Sequence, residues 1–511
     1  MSDSIGWIIV AFAIYLLVMI IVGVVCAKGN NTSEDYFLGG RQLGGFVAAL
    51  SAQASDMSGW LLMGLPGSIY ALGTGQAWIA VGLFVGTVCN WLFISGRLRR
   101  YTIRANNALT LPTYFENRFH DKKRILLCIS SITIVIFFLV YTASALAAGG
   151  KLFNSVFGLD YRIALTIGAA VILIYTFMGG FMAVCVTDFI QGTLMLIGLL
   201  VVPIVAYQLI GSGNLISALN DTGVTGGAST YLSLAYNNGE PYKAIDIISQ
   251  LAWGLGYCGM PHILVRFMAV KNEKELNKSK SVAIIWVAIS LLFACAIGVI
   301  GRAYLPTILE GAASEKVFIE MIIKVFTSDL AMPIVGGIFL CGILAAIMST
   351  ADSQLLVTAS SVAEDIFKGV IKKDADDKTV LRISRVTVIA VAVLAYVIAL
   401  NPDSSIMGLV SNAWAGLGSA FGPIVLLSLF WKRTNLQGAI AGIASGALTV
   451  LVWDYIPMIA GQTLGDVTGL YSLVVGFGIS LLLILVVSLL TPPPSEEMLI
   501  EFEDVRMGRV E

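Results

Sequence analysis

Charged residues are scarce in this sequence. Only 12% of its 511 residues are Asp, Glu, Lys or Arg, whereas an ordinary soluble domain has about 25%. Hydrophobic residues make up 57% of the chain, and the mean hydropathy is +0.87. A soluble protein of this length would lack the polar surface that keeps it dissolved, so the composition excludes a soluble fold.

Motifs and segments that soluble enzymes and ATPases need are also missing. The pattern G-x-x-x-x-G-K-[ST] does not occur, which argues against ATP-driven transport by this chain. The longest polar stretches, at about 211–244 and 304–330, are too short for a fused kinase or nucleotide-binding domain. If the protein moves a solute uphill, the energy must come from a gradient, and we expect no enzymatic activity.

Cysteines offer little for metal binding or covalent bridging. The seven cysteines include no C-x-x-C pair, and they fall in or beside apolar stretches. Isolated buried cysteines usually behave as small hydrophobes. We therefore expect neither a disulfide framework nor a cysteine metal site.

Long apolar stretches recur along the whole chain, and about 20 such residues in a helix cross a hydrocarbon core of about 30 Å. The first stretch lacks a basic flank and an A-x-A cleavage site, so we expect a retained helix rather than a signal peptide. The sequence predicts an all-α polytopic membrane protein of about thirteen transmembrane helices, with spans at about 5–26, 44–72, 75–96, 125–150, 161–179, 183–210, 245–265, 281–303, 331–361, 385–401, 407–431, 436–457 and 470–491.

The distribution of basic residues predicts the orientation of these spans. Lys and Arg accumulate in cytoplasmic loops, and 25 of the 31 basic residues fall on one side if the N-terminus lies outside. We therefore expect a cell-membrane protein with an extracellular N-terminus and a cytoplasmic C-terminus. The net charge of −1 gives no sign of a nucleic-acid partner. The six basic residues on the other side are Lys151, Arg162, Lys243, Arg302, Lys316 and Lys324.

The second and seventh predicted spans are interrupted by helix-breaking residues. The second carries ASDMSGW at 54–60 and GLPG at 64–67, and the seventh carries WGLGYCGMPH at 253–262. Spans five apart cross the membrane in opposite directions, and such matched breaks are typical of inverted-repeat transporters with the substrate site between them. Either break alone can also be a packing kink, since glycine and proline are common in transmembrane helices.

The spacing of the breaks divides the chain into two repeats and their flanks. Spans 2 to 6 would form the first repeat and spans 7 to 11 the second. The predicted divisions are an N-terminal extra helix and cytoplasmic loop at 1–43, the first repeat at 44–210, an extracellular loop at 211–244, the second repeat at 245–431, two further helices at 432–491 and a short cytoplasmic tail at 492–511.

Asp56 places a carboxylate near the middle of the second span, where a charge costs about 2.5–3.5 kcal/mol and is usually functional. Hydrogen bonding to the backbone for structure alone is the alternative. In the ninth span, the hydroxyls of Ser349 and Thr350 and the carbonyl of Ala346 could offer neutral oxygens to a small cation facing the break. Such hydroxyls also often bond to their own preceding helical turn.

Asp188, Arg41 and His262 each have two interpretations. Asp188 could relay ions inward, or it could cap or complement a helix N-terminus. By position alone, Arg41 is an ordinary cytoplasmic anchor. A lone histidine such as His262 is usually packed and hydrogen-bonded rather than a proton carrier.

Trp253 and Tyr257 are four residues apart, which would place them on one helical face. Together with Tyr141 they could wall an apolar cavity that accepts a small ring. The alternative is an interhelical packing stripe.

With these segments the sequence resembles the sodium/solute symporter family. The resemblance runs over nearly the whole chain and includes DYFLGGR at 35–41, ASDMSGW at 54–60, TDFIQG at 187–192, WGLGY at 253–257 and MST at 348–350. Residues 58–60 and 253–261 are similar to the branch that transports proline. The resemblance implies a LeuT-like core of inverted five-helix repeats with one helix before it and two after, which agrees with thirteen spans.

The resemblance also implies which residues act and on what. It implies L-proline as the solute, sodium as the coupling ion, no other cofactor and the lipid bilayer as the surroundings, with no obligatory protein partner. Asp56 would be needed for sodium-coupled binding, and Arg41 and Asp188 would lie on the inward ion path. The sodium ion would be held by the carbonyls of Ala54, Met57 and Ala346 and the hydroxyls of Ser349 and Thr350. Proline would be bound by Asp56, Ser58, Gly64, Tyr141, Trp253, Tyr257 and Pro261.

Alternatives remain open for the substrate and the ion. The same fold could import pantothenate or a sugar, or could use protons. A transporter-like membrane sensor is a further alternative, but only about 20 residues follow the last span. Asp352, two residues after Thr350, adds a second charge and leaves the number of coupled ions open.

Overall fold

The computed structural model describes residues 2–27, 32–176, 180–211, 213–459 and 461–510. Within these ranges the chain is almost entirely helical, and its only strands form a two-residue hairpin, β1 (Tyr236–Asn237) and β2 (Glu240–Pro241). The part of the predicted fifth span at 177–179 lies outside the described residues.

The helices of the first half of the chain form the first interrupted span and five other apolar spans, together with short connecting helices. They are α1 (Ser2–Ala27), α2 (Ser33–Leu38), α3 (Gly45–Asp56), α4 (Leu65–Leu72), α5 (Trp78–Cys89), α6 (Ser95–Arg104), α7 (Leu111–Arg118), α8 (Ile125–Phe157), α9 (Tyr161–Thr176), α10 (Phe181–Ile210), α11 (Leu215–Asp221) and α12 (Gly227–Tyr231).

The second half begins with the other interrupted span. Its helices are α13 (Ala244–Leu251), α14 (Pro261–Ala269), α15 (Glu273–Tyr304), α16 (Val317–Ile322), α17 (Pro333–Ser360), α18 (Asp377–Ile398), α19 (Ile406–Phe430), α20 (Leu436–Tyr455), α21 (Leu464–Thr468), α22 (Ser472–Leu490) and α23 (Glu496–Arg506). Short 3-10 helices occupy Gly39–Arg41, Thr74–Ala77, Ala252–Gly259 and Gly311–Lys316, and π-helical turns occupy Trp60–Gly64, Asn90–Ile94, Ile323–Asp329 and Ser361–Ile371.

The thirteen predicted spans are confirmed. Ten helical segments of the described chain are long and apolar enough to cross a membrane, and the two interrupted spans and α9 complete the set. Helix ends differ from prediction in several spans. The α15 and α18 helices begin eight residues early, at Glu273 and Asp377, and the third and fourth spans end eight and seven residues late, at Arg104 and Phe157. Charged residues such as Lys and Glu are good helix formers, so these helices continue beyond the apolar stretch by which hydropathy defines a span.

Both predicted helix breaks are present. The α3 helix ends at Asp56, Met57 leaves helical geometry at φ −80° and ψ 72°, and a π-helical turn leads into α4. In the seventh span, a 3-10 helix follows α13, Met260 is extended, and α14 restarts at Pro261. Proline suits the first turn of a helix because no partner is needed there for the missing N–H.

The two breaks lie inside the bundle, away from lipid. The α3 helix packs against α10, α14, α15 and α17, and the 3-10 helix Ala252–Gly259 packs against α5 and α19. The 3-10 helix and α5 approach each other backbone to backbone, because a Cβ on Gly254 would lie 2.2 Å from the carbonyl oxygen of Gly82. Close packing of this kind encloses the irregular backbone in protein, as membrane depth requires.

Candidate functional site

The break after α3 faces the middle of α17. Ser349 Oγ donates to the carbonyl of Ala54 at 2.8 Å and lies 3.2 Å from the carbonyl of Ala346, and Thr350 Oγ1 lies 3.5 Å from the same Ala54 oxygen. All four residues are fully buried. Ser349 thus contacts its own helix, but its shorter bond crosses to α3. Four of the five predicted sodium ligands therefore meet at one point.

Met57, the fifth predicted ligand, lies at the break itself. It is fully buried, and its N–H donates to the carbonyl of Gln53 at 2.8 Å. Because its ψ of 72° departs from the helical value, its carbonyl turns away from the axis of α3. Carbonyl and hydroxyl oxygens in such a cluster have the donor chemistry that replaces the hydration shell of a hard cation.

Asp56 connects the two broken helices. Its Oδ2 accepts a 2.6 Å hydrogen bond from the hydroxyl of Tyr257, and its Oδ1 has no hydrogen-bond partner among the described residues. The backbone carbonyl of Asp56 accepts from Ser58 N and Trp60 Nε1, both at 2.9 Å. The alternative in which the carboxylate bonds to backbone is therefore wrong, because its partner is a side chain of the other break.

Trp253 and Tyr257 do not share a helical face as predicted, because residues 252–259 form a 3-10 helix with about 120° per residue. Trp253 stacks on Trp414 and Tyr471 with ring centroids 6.3 and 5.4 Å apart, while Tyr257 meets Trp414 edge-on at 5.2 Å. Trp414 therefore joins the two rings. Trp414 and Tyr471 were not among the residues predicted from the sequence, and no local pattern marks either.

Tyr141 packs its ring perpendicular to that of His262, with centroids 6.1 Å apart. Its hydroxyl lies near Ser58 and Trp60 but meets hydrogen-bond geometry with none of the described residues. Ser58 is buried, and its Oγ accepts from Trp60 N at 3.4 Å. The structure thus brings Tyr141 and Ser58 to the side of the break that carries Asp56.

The remaining predicted substrate residues, Gly64 and Pro261, lie further apart. Gly64 belongs to the π-helical turn, where a Cβ would lie 3.4 Å from Met407 Sδ. Pro261 lines a narrow pocket whose other walls include Val265, Leu356 and Thr110. The residue after the second break and the loop before α7 therefore border the same pocket.

Asp188 belongs to a fully buried ion pair. Its Oδ2 lies 3.2 Å from Arg266 Nη2 and accepts a 2.7 Å bond from Ser51 Oγ. Since α10 begins at Phe181, Asp188 lies two turns inside the helix, and the helix-cap interpretation is wrong. Arg266, which we assigned to a cytoplasmic loop, is 0% exposed; its charge within the apolar residues of α14 is the signal that could have revealed the pair.

The same network reaches Asp352. Arg266 Nη2 donates to Ser353 Oγ at 2.6 Å, and Ser353 Oγ lies 3.4 Å from Asp352 Oδ1. Asp352 is fully buried, so it does not face the cytoplasm. It lies on the Arg266 side of the sodium-ligand cluster.

Arg41 and His262 differ from the interpretations given to them. The half-buried Arg41 donates to Asn107 Oδ1 at 2.6 Å, Met268 O at 2.6 Å and Ala108 O at 2.8 Å. These hydrogen bonds connect three segments of the chain, so Arg41 has a structural role beyond that of a basic residue at the cytoplasmic surface. His262 is packed as expected, but neither ring nitrogen has a hydrogen-bond partner in the described part of the chain.

The chain is similar to a known protein family and to individual proteins over most of its length. The family model for the sodium:solute symporter family matches residues 36–446. The chain is 43% identical to the osmoregulated proline transporter OpuE of Bacillus subtilis over 96% of both chains. It is 42% identical to a sodium/proline symporter of Staphylococcus aureus over 97% of this chain and 95% of that protein.

Among solved structures, the chain is similar in fold to a sodium-coupled sialic acid symporter in an outward-open state, with a TM-score of 0.77 and 19% identity over 96% of this chain and 99% of that one. A nucleobase-cation-symport-1 family transporter aligns with a TM-score of 0.55 and 14% identity over 93% and 99% of the two chains. At these identities the likeness concerns the fold alone, which is the LeuT-like arrangement expected from the inverted repeats.

Proposed function

The chain belongs to the sodium:solute symporter family, and we propose that it is a secondary active transporter that imports L-proline together with sodium ions. Two similar relatives, covered over nearly their full length, are named for proline transport. The observation that carries the proposal is the meeting of two broken helices at one buried carboxylate beside a cluster of neutral oxygens.

Sodium would bind between the α3 break and α17. The carbonyls of Ala54, Met57 and Ala346 and the hydroxyls of Ser349 and Thr350 would be its ligands. The short contacts between Ala54 and Ser349 support this assignment, because they bring oxygens of two helices together inside the bundle. Asp56 lies two residues after Ala54 and supplies a negative charge. Its carboxylate forms no ion pair with a basic side chain among the described residues.

Proline would lie between the two breaks. Its charged groups need polar partners at membrane depth. The Oδ1 of Asp56 and the hydroxyl of Tyr141 are two of the buried polar atoms that have no hydrogen-bond partner among the described residues. Its ring needs apolar walls, which the aromatic side chains of Trp253 and Tyr257 provide. Ser58, Gly64 and Pro261 complete the proposed pocket.

Coupling would follow from the bond between Asp56 and Tyr257. Sodium binding would draw the end of α3 to α17 and thereby hold Asp56 in one place. Because Tyr257 donates to Asp56, the 3-10 helix Ala252–Gly259 would be ordered at the same time. Sodium would thus preorganise the proline pocket, and by linkage proline would strengthen sodium binding by the same factor.

Transport would proceed by alternating access, with the repeats at 44–210 and 245–431 moving against each other. An inward route for the solute would pass the pocket that Pro261 and Thr110 line, and it would have to widen there. Arg41 and Asp188 would lie beside the route of the ion. On the opposite side, Lys151 and Glu315 form a buried 2.6 Å ion pair, and Glu315 also accepts from the backbone N–H of Ile406. We propose that the N-terminus is extracellular and the C-terminus cytoplasmic.

The test is uptake of radiolabelled proline by the purified protein in liposomes, with and without an inward sodium gradient. We expect accumulation with the gradient only, and loss of it in Asp56→Asn. The exposed Asp221→Asn serves as a matched control and should transport normally. Uptake that ignores sodium, or survives in Asp56→Asn, would refute the mechanism. Stronger competition by pantothenate or a sugar than by unlabelled proline would reassign the substrate.

A further inference from the structure

A basic groove lies on the outer surface of the bundle, away from the transport site. It is bounded by the helix that continues from α5 into α6, by the first turns of α15 and by the end of α19. Three cationic side chains, those of Arg97, Arg100 and Lys280, line it. They lie at the end of the bundle where most basic residues of the chain are found.

Among the described residues that line the groove, one acidic side chain faces these three cations, and it attracts Lys280 as well as pairing with Arg100. Arg100 pairs with Glu273, which is the only acidic residue lining the groove. Within the described part of the chain, Lys280 makes no ion pair or hydrogen bond, and Arg97 donates only to the carbonyl of Leu429 at 3.2 Å. The groove therefore carries an excess of two positive charges, and Arg506 of α23 adds to the positive potential at Arg97.

Apolar side chains adjoin these charges on the same surface. Leu92, Phe93 and Phe430 are 48%, 61% and 42% exposed, and all three line the groove. The guanidinium of Arg97 lies 4.3 Å above the Phe430 ring, so charge and apolar surface are continuous. Since these residues belong to membrane-spanning helices, their exposed side chains face acyl chains rather than water.

We propose that this groove binds an anionic phospholipid. Its phosphate would lie between Arg97 and Lys280, and its acyl chains would follow Leu92, Phe93 and Phe430. Basic pockets between transmembrane helices at the level of the head groups are suited to such lipids. A soluble anion could neutralise the charges but would leave the apolar side of the groove without a partner.

Gly96 keeps the floor of the groove open. A Cβ at this position would meet nothing closer than Leu276 Cδ2 at 3.9 Å. Replacing Gly96 by leucine would fill the floor without changing any charge. This substitution therefore separates occupancy of the groove from general attraction between a basic surface and an anionic membrane.

The proposal is tested by native mass spectrometry of the purified full-length protein with phosphatidylglycerol, phosphatidylcholine or inorganic phosphate. Each basic residue near an anionic surface contributes about fivefold in affinity, so Arg97→Gln/Lys280→Gln should bind phosphatidylglycerol about thirtyfold more weakly. Gly96→Leu should lose the same bound lipid. The exposed pair Lys372→Gln/Lys373→Gln is the matched control and should bind as the parent protein does.

Three results would overturn the proposal. Equal binding of phosphatidylglycerol by the parent protein and Arg97→Gln/Lys280→Gln would show that the lipid does not bind in the groove. An equal loss in the Lys372/Lys373 control would assign the effect to surface charge. Binding of inorganic phosphate as strong as that of phosphatidylglycerol would show that the groove binds a soluble anion rather than a lipid. Far-ultraviolet circular dichroism of each variant verifies that a loss of binding is not a loss of folding.

Discussion

Replacing Arg266 by methionine should strongly destabilise the protein. Its guanidinium donates to Ser51 Oγ at 3.1 Å, to the carbonyl of His262 at 2.7 Å and to Ser353 Oγ at 2.6 Å, and it lies 3.2 Å from Asp188. These contacts link α3, α10, α14 and α17 around one fully buried charge. Methionine keeps most of the volume and removes all four.

The expected size of the loss follows from the charge that remains. Removing one partner of a buried ion pair costs about 3–5 kcal/mol, because the other charge stays buried and uncompensated. Asp188→Asn should therefore cost about as much as Arg266→Met. The double variant leaves neither charge, so its loss should be smaller than the sum of the two by at least about 2 kcal/mol.

The assay is equilibrium unfolding of the purified variants in mixed micelles of one composition. Arg302→Met is a suitable control. Among the described residues, the half-buried Arg302 hydrogen-bonds to Thr222 and lies over the Tyr70 ring, and it forms no ion pair with a buried acid. We expect it to cost about 1 kcal/mol. If the losses from Arg266→Met and Asp188→Asn simply add in the double variant, the two residues do not stabilise the bundle as a pair.

Two other close contacts lead to predictions that the same unfolding assay can check. Glu315→Gln should cost about 3–5 kcal/mol, since Lys151 is 2% exposed and would lose its carboxylate partner; equal stability of this variant and the exposed neighbour Glu310→Gln would contradict it. Gly256→Ala should cost about 1–3 kcal/mol, because its Cβ would lie 2.0 Å from an indole nitrogen of α19. Gly478→Ala, with no atom within 4 Å, should be neutral or gain up to about 1 kcal/mol, and a similar loss in both glycine variants would show that the close contact is not the cause.

Local patterns were enough to find the breaks and the polar residues beside them. Asp56 stands out because a carboxylate in an apolar stretch has few tolerable roles, and Pro261 marks the restart of a helix by its covalent structure. The prediction that Trp253 and Tyr257 share one helical face was wrong. It assumed an α-helix, whereas the close approach of Gly254 to Gly82 accompanies a 3-10 helix whose geometry no local pattern indicates.

The predicted location of Arg266 was also wrong. It stands only five residues before the basic cluster that begins at Lys271, and proximity in sequence placed it in a cytoplasmic loop. In the folded protein the α14 helix carries it into the bundle, where Asp188 is 78 residues away along the chain. A charged side chain can be buried only where its partner is also present, and the sequence alone does not identify that partner.

The number of spans, the positions of both breaks and the candidate residues at them could be predicted from the amino-acid sequence. These properties depend on hydropathy, on proline and glycine and on isolated polar residues, all of which act within a few positions along the chain. Which side chains contact each other became known from the folded structure. The bond from Tyr257 to Asp56 and the bond from Ser349 to Ala54 join residues 201 and 295 positions apart, and such pairs depend on how the helices pack against each other.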